Sequence, residues 1–161
     1  MKNNKPPRFF FPAIPNTKAL YIEKSIKAPA LEVWAIVGNF SSFDRFTDGL
    51  SKCQMIGEGI GQVRVKTFDS GEYVVDQLSY LDNKEMKMHF NIISTSLNIR
   101  NLWEFLRVEY ISSTESKVVW EMAGEPKQGS QEDIENFLTN FARDALENIN
   151  DICTRAEKTI Y

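Results

Sequence analysis

Between residues 19 and 27 apolar and polar side chains alternate (ALYIEKSIK), the period of a half-buried β-strand. Ala28-Pro29 then opens a helix from Ala30 to Val37. Proline suits the first helical turn because the N–H it lacks would be unpaired there anyway. Val33, Trp34 and Val37 supply the apolar face of that helix, and Gly38-Asn39 ends it. Ser41 to Leu50 is predicted as a second short helix, capped by Ser41 or Ser42, with Phe43, Phe46 and Leu50 on one side. Strands follow at about 51–57, 61–68, 72–81, 85–95, 99–111 and 116–124. Gly57-Glu58-Gly59, Asp69-Ser70-Gly71, Asp82-Asn83 and Ser112-Ser113-Thr114 separate them. Links that short between consecutive strands make an antiparallel meander.

The longest period belongs to the C-terminal segment. Ser130-Gln131-Glu132-Asp133 has the form of a capping box with aspartate in place of glutamate. Behind it Ile134, Phe137, Leu138, Phe141, Ala145, Leu146, Ile149, Ile152 and Cys153 recur at spacings of three and four. They form one apolar stripe on a helix of about 28 residues, roughly 42 Å long. Phe137 and Phe141 lie four apart, so both are expected to face the sheet. Such a helix cannot bury its stripe alone, and the preceding strands must supply the opposite wall. The pattern therefore predicts an α+β fold: a strand, two short helices, a six-stranded meander, and a long C-terminal helix across the curved sheet. No repeat or low-complexity segment interrupts it. The expected organisation is an N-terminal arm over residues 1–18 and a single domain over residues 19–161.

A chain of 161 residues, 42% hydrophobic and 25% charged, can bury a proper core and is not a disordered composition. The net charge of -3 offers no general basic surface, so nucleic acid is not an expected partner. Cys53 and Cys153 stand far apart and suit free thiols in a reducing compartment better than a disulfide framework. No apolar run approaches the roughly 20 residues that span a bilayer, so stable membrane insertion is not expected. The first residues, MKNNKPPRFFFPAIP, are too proline-broken for a signal peptide, and the cytoplasm is the expected location. The Phe9-Phe10-Phe11 run packs on its own domain, on a partner chain such as a second copy in a homodimer, or over a pocket mouth. The pattern leaves these open.

One stretch departs from simple alternation: GQVRVKTFDSGEYVVDQL, Gly61 to Leu78. A three-residue loop at Asp69-Ser70-Gly71, with Gly71 left-handed, sets Phe68 against Glu72, Lys66 against Val74 and Arg64 against Asp76. Arg64 and Asp76 share a face with Leu78 and Phe68, while Val63, Val65, Tyr73 and Val75 share the other. By pattern alone the valine face is core and the charged face is solvent. A two-residue link at Asp82-Asn83 would also place Asp76 opposite His89, in favour of exposure. A longer or bulged link at residues 82–85 would instead bring Asp76 and Phe90 to one face. If buried, the pair would be a polar anchor in an apolar pocket, the usual build of a small-molecule site.

Other candidates are fewer. Glu104 shares strand parity with Leu102 and Leu106, and either faces inward with them or lies on the outer face. Tyr80 shares parity with Asp76 and could donate to a ligand oxygen or simply pack in the core. His89, the sole histidine, is expected outward, so neither a histidine triad nor a metal site is expected. Gly57-Glu58-Gly59-Ile60-Gly61 leads into a strand, whereas a phosphate loop must open a helix; no nucleotide cofactor is expected.

The order of these segments resembles the helix-grip superfamily known as SRPBCC, which includes START-related lipid-transfer domains, birch pollen allergens and plant abscisic acid receptors. Its bacterial polyketide cyclase/dehydrase-like group is the nearest in pattern. The residues that carry the resemblance are Ile26-Lys27-Ala28-Pro29 through Val33-Trp34, the glycines from Gly57 to Gly61 followed by Arg64, Asp76-Gln77-Leu78 with Leu81-Asp82, and Trp120 before the final helix. Similarity to the hormone receptors over Asp76 to Asn101 implies that Asp76, Phe90 and Ile92 point into a pocket. The proline-led entry from Pro126 implies the same for Phe137, Phe141 and Ala145. The departures matter too. The gate loop is shorter, Leu97-Asn98-Ile99 replaces the latch, and the hormone-binding lysine falls near Thr47.

The resemblance implies a closed cavity that takes a small hydrophobic molecule: a lipid, an isoprenoid or a polyketide. The ligand contacts it suggests are Arg64, Asp76, Leu78, Phe90, Ile92, Leu102, Glu104, Trp120, Phe137, Phe141 and Ala145. A cyclase or dehydratase is the alternative, with Asp76 or Glu104 as general base and Arg64 or Tyr80 polarising a carbonyl. A protein-partner role rests only on the phenylalanine arm. Fold alone does not choose among these.

Overall fold

A computed structural model describes residues 15–156. The Phe9-Phe10-Phe11 run lies outside the described residues. Strand β1, Leu20–Ile26, leads into helix α1, Ala30–Val37, which buries Ala30, Val33, Trp34 and Val37. Then come β2 (Leu50–Ile56), β3 (Val63–Phe68), β4 (Tyr73–Asp82), β5 (Lys87–Thr95), β6 (Ile99–Ser112), β7 (Glu115–Pro126) and the long helix α2 (Gln131–Ala156). The strands form one antiparallel sheet in the order β1-β7-β6-β5-β4-β3-β2. The meander thus runs from β2 to β7, and β1 returns to cover the outer edge of β7. Helix α2 packs across the sheet against β1 and β7 and touches α1. This is a helix-grip fold. Among the described residues no helix is long and apolar enough to cross a membrane.

The predicted second helix is a correction. Phe40–Arg45 is a short 3₁₀ segment, and Leu50 already belongs to β2, opposite Phe68. Phe40, Phe43 and Phe46 are spaced by three, and a 3₁₀ turn stacks residues i and i+3 on one face. Asn39 caps the segment by accepting from the Ser41 N–H at 3.1 Å. All three rings are buried. Helix α2 begins as its sequence suggests, with the Asp133 N–H donating to Ser130 Oγ at 3.1 Å. Of its predicted stripe, Ile134, Leu138, Ala145, Leu146, Ile149 and Cys153 are buried, joined by Ala142, and Phe141 and Ile152 are half-buried. Phe137, expected to face the sheet, is a correction: it is 46% exposed at the edge of the stripe.

The β3–β4 register is the one the turn dictates. Arg64 pairs with Asp76 and Lys66 with Val74, and Gly71 holds φ at +87°. The β4–β5 link closes at Asp82 opposite Lys87, longer than a two-residue turn. The register also shifts between Leu78 and Tyr80 and again between Val75 and Asp76. Asp76 is therefore opposite Ile92, not His89. The shift at Ser79 has a second effect. It reverses the side-chain parity of β4, so Tyr80 emerges on the outer face, 43% exposed, against His89. The inward placement of Tyr80 assumed unbroken alternation, and the bulge removes that premise.

Candidate functional site

Strand β3 carries its charges inward. Arg64 and Lys66 are 1% and 4% exposed, whereas Val63 and Val65 are only half-buried. The inward charges are tolerable because partners are already there. Arg64 donates from Nε to Asp76 Oδ1 at 2.9 Å and from Nη2 to Asp76 Oδ2 at 2.8 Å. Its Nη1 donates to the carbonyl oxygen of Phe40 at 2.9 Å. The rings of Phe40, Phe43 and Phe90 lie 3.9, 4.3 and 5.0 Å from the guanidinium carbon. A planar, weakly hydrated guanidinium suits this dry aromatic box as an ammonium would not. The 3₁₀ segment therefore helps to build the site, because it delivers both the Phe40 carbonyl and two of the rings.

Lys66 is a neighbour that the alternation pattern did not single out. Its Nζ is 2.7 Å from Asp76 Oδ2 and 4.2 Å from the Phe43 ring centre. One fully buried carboxylate thus serves two cations. Burial works against the charge on Asp76, but Arg64 and Lys66, with their hydrogen bonds, outweigh it and hold the carboxyl below its usual range. Burial, aided by Arg64, lowers the pKa of Lys66 despite the attraction of Asp76. The sequence did carry a signal for Lys66, which shares its strand parity with Arg64.

Glu104 on β6 also faces inward, at 4% exposure, between Phe90 on β5 and Met122 on β7. Among the described residues it has no ion pair within 4 Å. Burial pushes its carboxyl up to about 7, with the Asp76 charge adding and Lys66 and Arg64 opposing. The buried Trp120 indole N–H is near enough to favour the carboxylate but has no partner at hydrogen-bonding geometry among the described residues. Thr47 Oγ1 and Asn91 Nδ2 are likewise buried without a partner among those residues.

Lys66 and Glu104 meet at a cavity of about 180 Å³ between the sheet and α2. Phe68, Val74, Ile92, Ile99 and Leu102 wall it from the sheet, and Leu138 and Phe141 close it from α2. Exposed Asp48 and Glu72 and the 46%-exposed Phe137 mark the mouth, beside Leu97. The inner end is polar and the walls are apolar. Of the residues suggested as ligand contacts, Ile92, Leu102, Glu104, Phe137 and Phe141 border this space. Arg64 and Asp76 do not; they sit behind Lys66, packed and mutually satisfied. Leu78, Phe90, Trp120 and Ala145 are core residues off the cavity wall. Tyr80 is on the other side of the sheet. Asp76 is a poor general base for the same reason: its lone pairs are taken and its proton affinity is lowered.

Comparison with known proteins agrees with the fold that frames this site. The abscisic acid receptor PYL2 of Arabidopsis thaliana is 24% identical over 153 residues, covering 88% of this chain and 80% of the receptor. The structure of the protein XoxI from Bacillus cereus superposes with a TM-score of 0.81 at 19% identity, over 88% of this chain and 99% of that one. Norcoclaurine synthase from Thalictrum flavum, solved with dopamine and hydroxybenzaldehyde, gives a TM-score of 0.69 at 17% identity, over 86% and 87%. Those likenesses speak for the fold. The family model described as polyketide cyclase/dehydrase and lipid transport matches residues 19–153, from the first strand to the last turns of α2. By that match, and with the helix-grip architecture around its cavity, the chain belongs to the polyketide cyclase/dehydrase and lipid transport family.

Proposed function

We propose that the protein takes up a small, mainly apolar molecule between its sheet and α2 and holds it there as a binding or transport module. The observation that carries this is the cavity itself: apolar walls, a mouth at Phe137, and, among the described residues, Lys66 and Glu104 as the buried polar groups on its lining. Its size bounds the occupant. About 180 Å³ compares with the roughly 150 Å³ of an apolar cavity that admits benzene. One ring or a short branched chain fills it. A longer isoprenoid, lipid or polyketide would extend past Phe137. The ring compounds in the norcoclaurine synthase structure support an occupant of that order.

Native mass spectrometry of protein purified from cells, beside a thermal-shift panel of ring-sized apolar probes, tests the reading. A probe at a hundred times its dissociation constant adds about 2.7 kcal/mol, or roughly 5–10 °C for a domain of this size. No retained molecule, and no probe that raises the melting temperature, would overturn it.

A second reading has its own observation. Glu104 is a buried carboxyl poised near neutral pH at the cavity wall, with the Lys66 ammonium on the same lining. That is the makeup of a general base beside an electrophile. Glu104 would take a proton from the carbon next to a carbonyl, and the resulting enolate oxygen would rest on Lys66. Deuterium exchange into phenylacetone, followed by NMR, tests it. Exchange above the buffer rate that disappears in Glu104→Gln supports an enzyme. Exchange at the buffer rate leaves the binding reading alone.

A further inference from the structure

The buried charges behind the cavity do not balance. Arg64 and Lys66 are cations, and among the described residues Asp76 is the one anion bonded to either. Glu104 can cancel the surplus only by ionising without an ion pair of its own. With Glu104 protonated, the cluster holds one positive charge more than it can neutralise, in surroundings where unpaired charge is costly. That surplus sits at the cavity wall, because Lys66 lines the cavity while Arg64 does not. We propose that the cavity selects a ring-sized apolar molecule bearing one carboxylate, with the carboxylate on Lys66 Nζ and accepting a hydrogen bond from protonated Glu104. This rests on the cavity-uptake reading above and names the chemical class it admits.

The geometry supplies both halves of such a ligand's needs. Val74, Ile92 and Leu102 offer an apolar body its walls, and the polar end is buried rather than at the mouth. An anion at the mouth would meet Asp48 and Glu72, which repel it; among the described lining residues the positive charge is at the inner end, on Lys66. Uptake is then coupled to a proton. A ligand carboxylate beside Glu104 disfavours the second negative charge, so the acid form of Glu104 is retained on binding. The groups facing Glu104 set this balance: Lys66 and Arg64 from β3, Asp76 from β4 and the Trp120 indole N–H from β7. Helix α2 presents only Leu138 and the rings of Phe137 and Phe141 to the cavity.

The test compares 3-phenylpropanoate with its near-isosteric neutral amide, 3-phenylpropanamide, by calorimetry on the intact chain. At pH 6 the acid is expected to bind about tenfold or more tightly than the amide, the scale of one charge-assisted hydrogen bond. Its advantage should shrink between pH 6 and 8, where the ligand stays ionised and Glu104 loses its proton. Calorimetry near pH 7.5 in buffers of different ionisation enthalpy should show proton uptake with the acid and none with the amide. Lys66→Met should abolish the preference. Glu104→Gln should keep the preference and flatten its pH dependence, and this variant keeps the test open if Lys66→Met fails to fold. Equal affinities at pH 6, or a tighter amide, overturn the proposal while leaving cavity uptake standing. Binding of neither probe overturns the proposal and counts against cavity uptake as well. An acid preference that survives in Lys66→Met also overturns it.

Discussion

At Asp76 one carboxylate holds two buried cations, so its loss should be felt twice. Asp76→Ala leaves Arg64 and Lys66 without a counter-charge, and breaking a buried pair typically costs about 3–5 kcal/mol. A swap of Arg64→Met with Asp76→Leu still strands the Lys66 ammonium, so it should remain destabilised. Adding Lys66→Met should recover most of the loss, since an apolar cluster of similar volume is well tolerated. Denaturant midpoints for the single, double and triple variants check this. A double as stable as the triple would mean that Lys66 draws nothing from Asp76. Glu104 makes a separate prediction through pH. Its carboxyl rises from an ordinary 4.5 to about 7, so between those values the folded state keeps a proton that the unfolded state releases. The stability this adds is complete below 4.5 and is lost as the pH rises through 7, at most about 3 kcal/mol. Glu104→Gln should remove that slope between pH 5 and 8 in urea titrations. His89, whose pKa burial lowers, titrates alike in both proteins, so the difference isolates Glu104.

Strand and helix decide what each residue is able to do, and here the sequence was legible only in part. The Asp69-Ser70-Gly71 turn fixes the β3–β4 register, so the Arg64–Asp76 pairing could be read directly. Its face could not be read from the strand pattern. Valines opposite charges argue for charges outside, whereas the resemblance to the hormone receptors implied Asp76 inside, and the aromatic box brought by Phe40 and Phe43 is what houses the buried charges. The 3₁₀ segment hid inside a pattern also compatible with an α-helix. The bulge at Ser79 carries no glycine or proline to mark it, and it decides the fate of Tyr80. Lys66 shares its strand parity with Arg64, but its cross-strand partner is Val74 and a lysine on a strand is usually solvated, so the pattern did not mark it as part of the site. The stripe of α2 was clear from its spacing, and it leads to a test at this scale. Phe141 stacks on Phe43 at 6.2 Å and meets Trp120 edge-on at 6.0 Å, with one side open to the cavity. Phe141→Ala should therefore cost less than the roughly 3–5 kcal/mol of a fully packed phenylalanine and should admit larger ligands. Chemical denaturation beside a probe series of increasing ring count reads both effects. A full packing cost with no change in ligand size would mean that the ring does not border usable space.

Across the whole molecule, the elements that carry stability and the element that admits a ligand are different. The sheet, the stripe of α2 and the Arg64 box form one contiguous buried core. Phe137 stands outside it, 46% exposed at the mouth, with its ring 6.5 Å from that of Phe141. Phe137 lines the exposed end of the cavity of about 180 Å³ together with Asp48 and Glu72, so entry past its ring is the expected route. Phe137→Ala should then be nearly silent in stability, under about 1 kcal/mol, since little buried area is lost. Its effect should appear in kinetics. Removing a ring that narrows the mouth lowers the barrier to entry and exit alike, so both rates should rise severalfold while the dissociation constant changes less than either. Stopped-flow fluorescence with an environment-sensitive ring-sized probe measures the two rates. If they stay unchanged in Phe137→Ala, ligand passes elsewhere, and the cleft formed by Leu97, Asn98, Ile99 and Ile134 beside it becomes the place to look. If release alone accelerates, Phe137 is a binding contact rather than a gate, and the site extends to the surface of α2.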